Sequence, residues 1–180
     1  MKLRIIAGEL GGRFIDAPKG FKTRPTASRV REAWFSVLAD RVQDVGVLDL
    51  FAGSGALGIE ALSRGARHVH FVESDARTLE TLQNNLLALG LEDRSTVVRR
   101  DALRFVDQIA EPFDLAFADP PYTAQVGLEL LGRYQARPFA RELWLEHRSE
   151  EASIGADWTR RYGDTRLSVH RAKTRTPDSE

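Results

Sequence analysis

The chain contains no cysteine, and this absence excludes several kinds of chemistry at once. Without a thiolate it cannot form a disulfide, a cysteine-ligated zinc site or an iron–sulfur cluster, and no cysteine nucleophile is available. It also lacks an apolar run long enough to span a membrane, and its first residues are too short in their apolar part for a signal peptide. We therefore expect a cytoplasmic protein, and 180 residues are enough for one domain with a substantial core.

An excess of charge of either sign is also missing, because 26 basic and 26 acidic residues balance. The charges are nevertheless unevenly distributed along the chain. Residues 1–41 carry nine basic and four acidic side chains, a net charge of +5, so the remainder carries −5. A basic segment on an acidic body suits a phosphate-rich partner. On charge alone, a solvated charged face is an equally good interpretation.

The N-terminal segment predicts a β-hairpin followed by a helix. Residues 3–17 form two short strands around the turn Leu10-Gly11-Gly12-Arg13. An apolar stripe at helical spacing then runs from Val30 to Leu38, and Thr26 or Ser28 is expected to cap this helix.

From residue 46 onward the pattern alternates between buried strands and amphipathic helices. Strands are predicted at 47–51, 69–72, 96–99, 113–118 and 143–147, and helices at 53–64, 75–89, 102–109 and 125–134. A final hairpin is predicted from 158–162 and 166–171. Alternating strands and helices predict an α/β fold with a parallel sheet covered on both faces. The sheet would have seven strands, mostly parallel, and end in an antiparallel hairpin.

The tetrapeptide Asp119-Pro120-Pro121-Tyr122 directly follows the fourth of these strands. Two prolines can neither continue a helix nor donate to a sheet, so the strand ends there and the carboxylate projects from its carboxyl edge. A carboxylate and a fixed carbonyl can accept both hydrogens of an exocyclic amino group, and the tyrosine ring can stack on a base. A simple strand-ending turn is the alternative interpretation, unless a methyl-donor site lies upstream.

A glycine-rich loop that could form such a methyl-donor site lies upstream, after the first strand. Its segment is Asp49-Leu50-Phe51-Ala52-Gly53-Ser54-Gly55-Ala56-Leu57-Gly58. The pattern G-x-G-x-x-G fits either a dinucleotide or S-adenosylmethionine. Asp49 favours the second ligand, because a carboxylate attracts the ammonium group of a methionine moiety and repels a pyrophosphate. Glu73 is expected to hold ribose hydroxyls and Asp101 an adenine amino group. Capping of the following helices is the competing interpretation of these carboxylates.

The glycine loop, the Asp-Pro-Pro-Tyr motif and the segment Arg24-Pro25-Thr26-x-x-Arg29-Val30-Arg31-Glu32 together resemble the bacterial RsmD family. That family contains 16S rRNA guanine-N2 methyltransferases with the Rossmann-like class I fold. The resemblance covers roughly residues 1–171, and the arginine-rich segment is its most specific part. Tyr122 stands where many relatives have phenylalanine, and either ring can stack.

The polar composition from Lys173 onward predicts a disordered tail at 173–180. The resemblance implies a methyltransferase domain at 42–172, preceded by a substrate-binding extension at 1–41. It implies S-adenosylmethionine as the cofactor and 16S rRNA, within a small-subunit particle, as the partner of a monomer without membrane contact or metal. The expected catalytic residues are Asp119, Pro120, Pro121 and Tyr122. The expected cofactor-binding residues are Asp49, Phe51, Ala52, Gly53, Gly55, Glu73, Ser74, Asp101 and Ala102. The expected substrate-binding residues are Arg24, Thr26, Arg29 and Arg31.

Other functions remain open on the sequence. An adenine-N6 methyltransferase acting on DNA or RNA could use the same Asp-Pro-Pro-Tyr motif, and a protein-glutamine methyltransferase would more typically carry asparagine at position 119. A non-catalytic RNA-binding assembly factor and an NAD-dependent oxidoreductase are the alternatives of other classes. His68 and His70 are predicted to point to opposite faces of their strand and so not to share a metal, and His147 and His170 to be structural.

Overall fold

The computed structural model describes residues 1–18, 25–121, 124–148 and 150–173, with the side chains of 25–28 and 124 excepted. Its strands are β1 (Lys2–Arg4), β2 (Phe14–Asp16), β3 (Gly46–Leu50), β4 (His68–Glu73), β5 (Ser95–Arg99), β6 (Phe113–Ala118), β7 (Ala140–His147), β8 (Trp158–Tyr162) and β9 (Thr165–Arg171). Its α-helices are α1 (Pro25–Leu38), α2 (Ala56–Ser63), α3 (Ala76–Leu89), α4 (Ala102–Val106) and α5 (Ala124–Ala136). None of these helices combines the length and apolar composition that a membrane-spanning helix needs.

A seven-stranded sheet with the order β5-β4-β3-β6-β7-β9-β8 forms the centre of the molecule. The first five of these strands are parallel, whereas β9 runs antiparallel to β7 and β8 antiparallel to β9. The chain winds outward from β3 to β5 and then returns to place β6 on the other side of β3. This reversal creates a crevice at the carboxyl ends of β3 and β6, which is where open α/β sheets bind ligands. The predicted fold class is therefore confirmed.

Helices cover both faces of the sheet because neighbouring residues of a buried strand point to opposite sides. Phe117 and Trp144 pack with α1, α2 and α3, whereas Ala116 and Leu143 pack with α4 and α5. Helix α1 shares the first core directly: Trp34 meets Phe117 edge to face, with ring centroids 5.3 Å apart. The N-terminal segment and the sheet thus share one hydrophobic cluster.

The N-terminal hairpin docks onto α2 and α3 through buried polar side chains. The carboxylate of Glu60, 1% exposed, accepts hydrogen bonds from the backbone N–H groups of Ile6 (2.8 Å) and Ala7 (3.0 Å). Asn85 of α3 accepts from the N–H of Asp16 (2.8 Å) and donates to the carbonyl of Ser54 in the glycine loop (3.0 Å). The hairpin is therefore tied to the element that the sequence predicts to hold the cofactor.

Several predicted element boundaries need correction. Helix α1 begins at Pro25, so Thr26 and Ser28 lie in its first turn and do not cap it; proline suits that first position, where its missing N–H has no helical partner. Helix α2 begins at Ala56, after the glycine loop rather than at Gly53. Helix α4 ends at Val106, before the predicted residue 109, and β7 begins at Ala140, before the predicted 143.

Candidate active site

The glycine loop between β3 and α2 owes its shape to left-handed backbone conformations. Phe51, Gly53 and Gly55 have φ angles of 57°, 57° and 82°. A Cβ at Gly53 would meet nothing nearer than the Phe51 carbonyl oxygen at 3.9 Å, whereas one at Gly55 would lie 2.4 Å from Leu82 Cδ1. Gly53 therefore borders open space where a ligand can approach the backbone, and Gly55 is required for packing.

Glu73, at the carboxyl end of β4, reaches the same loop. Its two carboxylate oxygens accept from the N–H of Gly53 (3.0 Å) and of Asp75 (2.8 Å). Ala52 donates from its N–H to the Val72 carbonyl at 3.0 Å, so loop and strand end are fixed together. Ser74 is exposed between Glu73 and Asp75. A carboxylate has four lone-pair sites, and Glu73 retains capacity to accept from ribose hydroxyls.

Asp49 lies beneath the glycine loop instead of projecting from the sheet edge. It is 1% exposed, and its Oδ2 accepts from the N–H of Gly58 at 2.9 Å. Burial raises the pKa of its carboxyl well above the usual range, and the nearby carboxylates of Asp119 and Glu73 raise it further. In this structure Asp49 stabilises the loop from below. Any electrostatic attraction between its carboxylate and the ammonium group of a ligand therefore acts across the loop.

Asp101 follows β5 at the same edge and caps α4. Its Oδ1 accepts from the N–H of Arg104 at 2.9 Å, so the competing cap interpretation holds for this residue. The carboxylate is exposed, and the cap bond leaves its other oxygen able to accept from a ligand. Ala102 is buried beside it, at 4% exposure. Asp75 caps α3 in the same way, by accepting from the N–H of Thr78.

Asp119 directly follows β6, on the side of the crevice opposite the glycine loop. Its side chain keeps an exposed surface, yet protein atoms surround it closely enough that desolvation raises its pKa to about 6. Pro120 is buried and Pro121 exposed, which ends the strand as expected. Tyr122, the predicted stacking ring, lies outside the described residues.

Glu146, at the carboxyl end of β7, also belongs to this edge, and it is not among the site residues predicted from the sequence. The pKa of its half-buried carboxyl is raised to about 8, first by burial and then by repulsion from Asp119. Thr165 donates from its hydroxyl to Glu146 Oε1 at 3.1 Å. Asp49, Glu73, Asp101 and Asp119 lie at or near the carboxyl ends of the first four predicted strands, and the same rule applied to the fifth strand finds Glu146.

The four predicted substrate-binding residues have different outcomes. Arg24 lies outside the described residues, and Thr26 is described by its backbone alone. Arg29 is exposed on α1, as a phosphate contact requires. Arg31 is 8% exposed and donates from Nη2 to the Arg4 carbonyl at 2.6 Å, and burial lowers its pKa. The prediction for Arg31 is wrong because its guanidinium is used inside the protein, where it ties α1 to β1.

The prediction that His68 and His70 lie on opposite faces is also wrong. Residues two apart on a strand share a face, and the two ring centroids are 5.1 Å apart. His147 and His170 are buried and bond to Ser168 and to the Ala152 carbonyl. Across the described ranges there is no group of three or more histidine, aspartate or glutamate side chains that could hold a metal ion.

Sequence comparisons relate this chain to known proteins. The model of a family described as conserved hypothetical protein 95 matches residues 3–156. The Bacillus subtilis protein YlbH, provisionally named an rRNA methyltransferase, is 41% identical over 139 residues, 74% of this chain and 76% of YlbH. The Escherichia coli ribosomal RNA small subunit methyltransferase D is 41% identical over 121 residues, 67% of this chain. That match spans 61% of the Escherichia coli protein, less than two thirds of its length.

Solved structures share the architecture over nearly the whole chain. The Escherichia coli protein yhhF, provisionally described as a methyltransferase, superimposes with a TM-score of 0.84 and 31% identity, covering 96% of this chain and 99% of its own. The Thermus thermophilus 16S rRNA N2 methyltransferase RsmC, solved with AdoMet and guanosine, gives a TM-score of 0.72, covering 96% of this chain and 50% of RsmC. At 21% identity, that second likeness concerns the fold.

Proposed function

Because the chain belongs to the RsmD family of methyltransferases, we propose that it transfers a methyl group from S-adenosylmethionine to the N2 amino group of a guanine in small-subunit rRNA. The observation that carries the proposal is the position of Asp119. It stands at the crevice between β3 and β6, directly across from a glycine loop with open space at Gly53. A group held by Asp119 faces whatever the loop binds.

The residues of the cofactor half fit S-adenosylmethionine better than a dinucleotide. Gly53 admits a ligand close to the backbone, Glu73 can accept from ribose hydroxyls, and Asp101 can accept from an adenine amino group. The carboxylates at this edge favour a cationic ligand and disfavour a pyrophosphate. When bound there, S-adenosylmethionine supplies an electrophilic methyl group.

On the substrate side, Asp119 and the Pro120 carbonyl accept the two hydrogens of the guanine amino group, and Tyr122 stacks on the ring. The base must be unstacked to enter, as in other enzymes that modify bases. Holding both N–H bonds directs the nitrogen lone pair toward the methyl donor, so that orientation supplies most of the rate. The exposed Arg29 of α1 contacts phosphate. Small-subunit particles are the proposed substrate and a monomer the proposed state.

The experiment that tests the proposal measures transfer of labelled methyl to three acceptors. These are small-subunit particles from an unmethylated strain, naked 16S rRNA and DNA, each followed by nucleoside analysis. N2-methylguanosine from the rRNA supports the proposal. N6-methyladenine, or label in DNA, would support the adenine-N6 alternative, and no label anywhere would favour a non-catalytic assembly factor.

We predict that Asp119→Asn lowers methyl transfer by about 100-fold or more, because the amide cannot accept as strongly and presents a donor to the amino group. The affinity for S-adenosylmethionine, measured by calorimetry, should stay within about twofold, since Asp119 lies across the crevice from the loop. Asp93→Asn is the matched control, because Asp93 is an exposed carboxylate before β5 at the opposite edge of the sheet. Activity retained in Asp119→Asn would remove Asp119 from its assigned role.

A further inference from the structure

A second carboxylate stands beside Asp119 at the carboxyl edge of the sheet. Ala118 of β6 pairs with Leu145 of β7 in parallel register, so the next residues on the two strands, Asp119 and Glu146, are also neighbours. Parallel strands lie about 4.8 Å apart, and paired residues point to the same face. The mutual repulsion of the two carboxylates agrees with this placement.

Glu146 lies on the side of Asp119 that is away from the cofactor half. In the sheet order, β3 with its glycine loop flanks β6 on one side and β7 flanks it on the other. The hydroxyl of Thr165, a residue 4% exposed at the start of β9, donates to Glu146 Oε1 and helps to orient the side chain. The proposed function gives this carboxylate no task.

The fold alone does not account for two carboxylates at this position. Half-burying an ionisable group beside a like charge destabilises a protein, and such groups concentrate at functional sites. Arg148 partly offsets the negative charge of Glu146, whereas Asp164 adds to it. A ligand group that donates hydrogen bonds to both carboxylates would relieve their repulsion.

Guanine presents that group. Its N2 amino group lies next to N1–H, so two donors stand side by side on one edge of the base. In adenine, the N6 amino group has the lone pairs of N1 and N7 as its neighbours, and both are acceptors. An ionised carboxylate beside the amino-binding residue therefore attracts guanine and repels adenine.

We propose that Glu146 accepts a hydrogen bond from N1–H of the guanine whose N2 amino group is held by Asp119, and thereby selects guanine over adenine. This inference rests on the proposed function and assigns its specificity. It also fixes the orientation of the base, because the N2 amino group is flanked by N1–H and by the lone pair of N3. With Glu146 on the far side of Asp119, N1–H must point away from the glycine loop.

The test uses small-subunit rRNA, assembled into particles, that carries guanine or 2-aminopurine at the methylated position. 2-Aminopurine keeps the N2 amino group but has a bare N1 without hydrogen. Wild-type protein should methylate the guanine substrate with a kcat/KM about 10- to 100-fold higher, because 2-aminopurine places a lone pair against the Glu146 carboxylate. The assay is run above the pKa of about 8, where the carboxylate is ionised.

In Glu146→Gln this preference should fall to within about threefold, since the glutamine amide can donate to a bare N1 or accept from N1–H. Glu142→Gln is the matched control on the same face of β7, near the strand's other end, where Glu142 pairs with Arg41 and Arg171. Its preference should equal that of the wild type. Rates that fall equally on both substrates in Glu146→Gln would show a structural role and overturn the inference.

If Glu146→Gln does not fold, the comparison of the two substrates with the wild-type protein still tests the inference. Equal methylation of guanine and 2-aminopurine by the wild type would overturn the role of Glu146 while leaving the proposed function intact. If the proposed function itself is wrong, the result is different, because the native guanine substrate then yields no N2-methylguanosine.

Discussion

Glu146 shows how a site residue can act against the stability of its own fold. Its carboxyl is half-buried next to Asp119, and burial with this repulsion raises its pKa from 4.5 to about 8. The folded protein therefore binds a proton that the unfolded chain has already lost between those two pH values. Stability must fall as the pH rises through this window, because the unfolded state is the one that tolerates the ionised carboxylate.

We predict that Glu146→Gln stabilises the protein at high pH by roughly 1 to 2 kcal/mol, a value reduced for partial solvent screening. The difference between variant and wild type should be near zero below pH 4.5, grow between 4.5 and about 8, and stay constant above. Urea unfolding at a series of pH values measures it. A difference that is independent of pH would mean that the carboxyl titrates normally in the folded protein.

The burial of Arg31 shows that a sequence motif does not specify which of its side chains are exposed. The family resemblance implies that Arg24, Arg29 and Arg31, in one short segment of the chain, all contact the substrate. Residues two apart on a helix point about 200° apart, so Arg29 and Arg31 cannot share a face. Arg31 precedes Trp34 and Phe35 by one helical turn and is buried on their side. The helical spacing of Arg31 relative to Trp34 and Phe35 predicts that it is buried, whereas its positive charge predicts that it is exposed.

The segment from the end of β3 into α2 depends on glycine for two different reasons. Gly53 borders open space, whereas a Cβ at Gly58 would lie 2.3 Å from the Phe71 ring and 2.9 Å from Asp49 Oδ2. Gly58 also donates its N–H to Asp49. A side chain there would push the helix off the strand that carries the loop.

We predict that Gly58→Ala lowers the free energy of unfolding by about 2 kcal/mol through overpacking, and weakens S-adenosylmethionine binding about tenfold. Gly132→Ala is the control: it is an exposed position within α5, and a Cβ there meets nothing within 4 Å. That variant should gain about 0.5 to 1 kcal/mol from reduced chain entropy and improved helix propensity. Thermal unfolding and calorimetric titration measure both effects. Normal cofactor affinity in Gly58→Ala would show that the loop does not depend on this contact.

The elements themselves were largely predictable, because hydrophobic periodicity and capping residues are local properties. Helix α3 is an example: Asp75 caps it and Gly90, with a φ of 68°, ends it. The long-range polar contacts were not predictable in the same way. Glu60 and Asn85 look like ordinary helix residues in the sequence, and their burial is decided by segments more than fifty positions away. Glu146 differs from them, because it stands at a strand end where the rule that found Asp119 applies; only its repulsion from Asp119 depends on a distant part of the chain.

Considered as a whole, the chain has no net charge, but its charges are unevenly distributed along the sequence. Residues 1–41 carry a net charge of +5 and the rest −5. Such a molecule should bind nucleic acid weakly in general and more strongly where the basic segment alone meets phosphate.

We predict that Arg29→Ala weakens binding to small-subunit particles and lowers the slope of log K against log salt by about 0.7 to 0.9, the contribution of one phosphate contact. Arg67→Ala is the control, because Arg67 is 61% exposed in its side chain and precedes β4 at the sheet edge opposite the site. Filter binding over a range of salt concentrations measures the slopes. Identical slopes for Arg29→Ala and the wild type would exclude the contact.

The docking of the N-terminal hairpin has a consequence for the order of events during synthesis. The hairpin precedes its anchoring partners in the chain, but two short strands are marginally stable alone. Its anchoring partners, Glu60, Ser63 and Asn85, are translated 53 to 69 residues later. A nascent chain must therefore complete the glycine loop, α2 and most of α3 before its hairpin can dock. The hairpin therefore reaches its final position only after the glycine loop and the helices that flank it have been made.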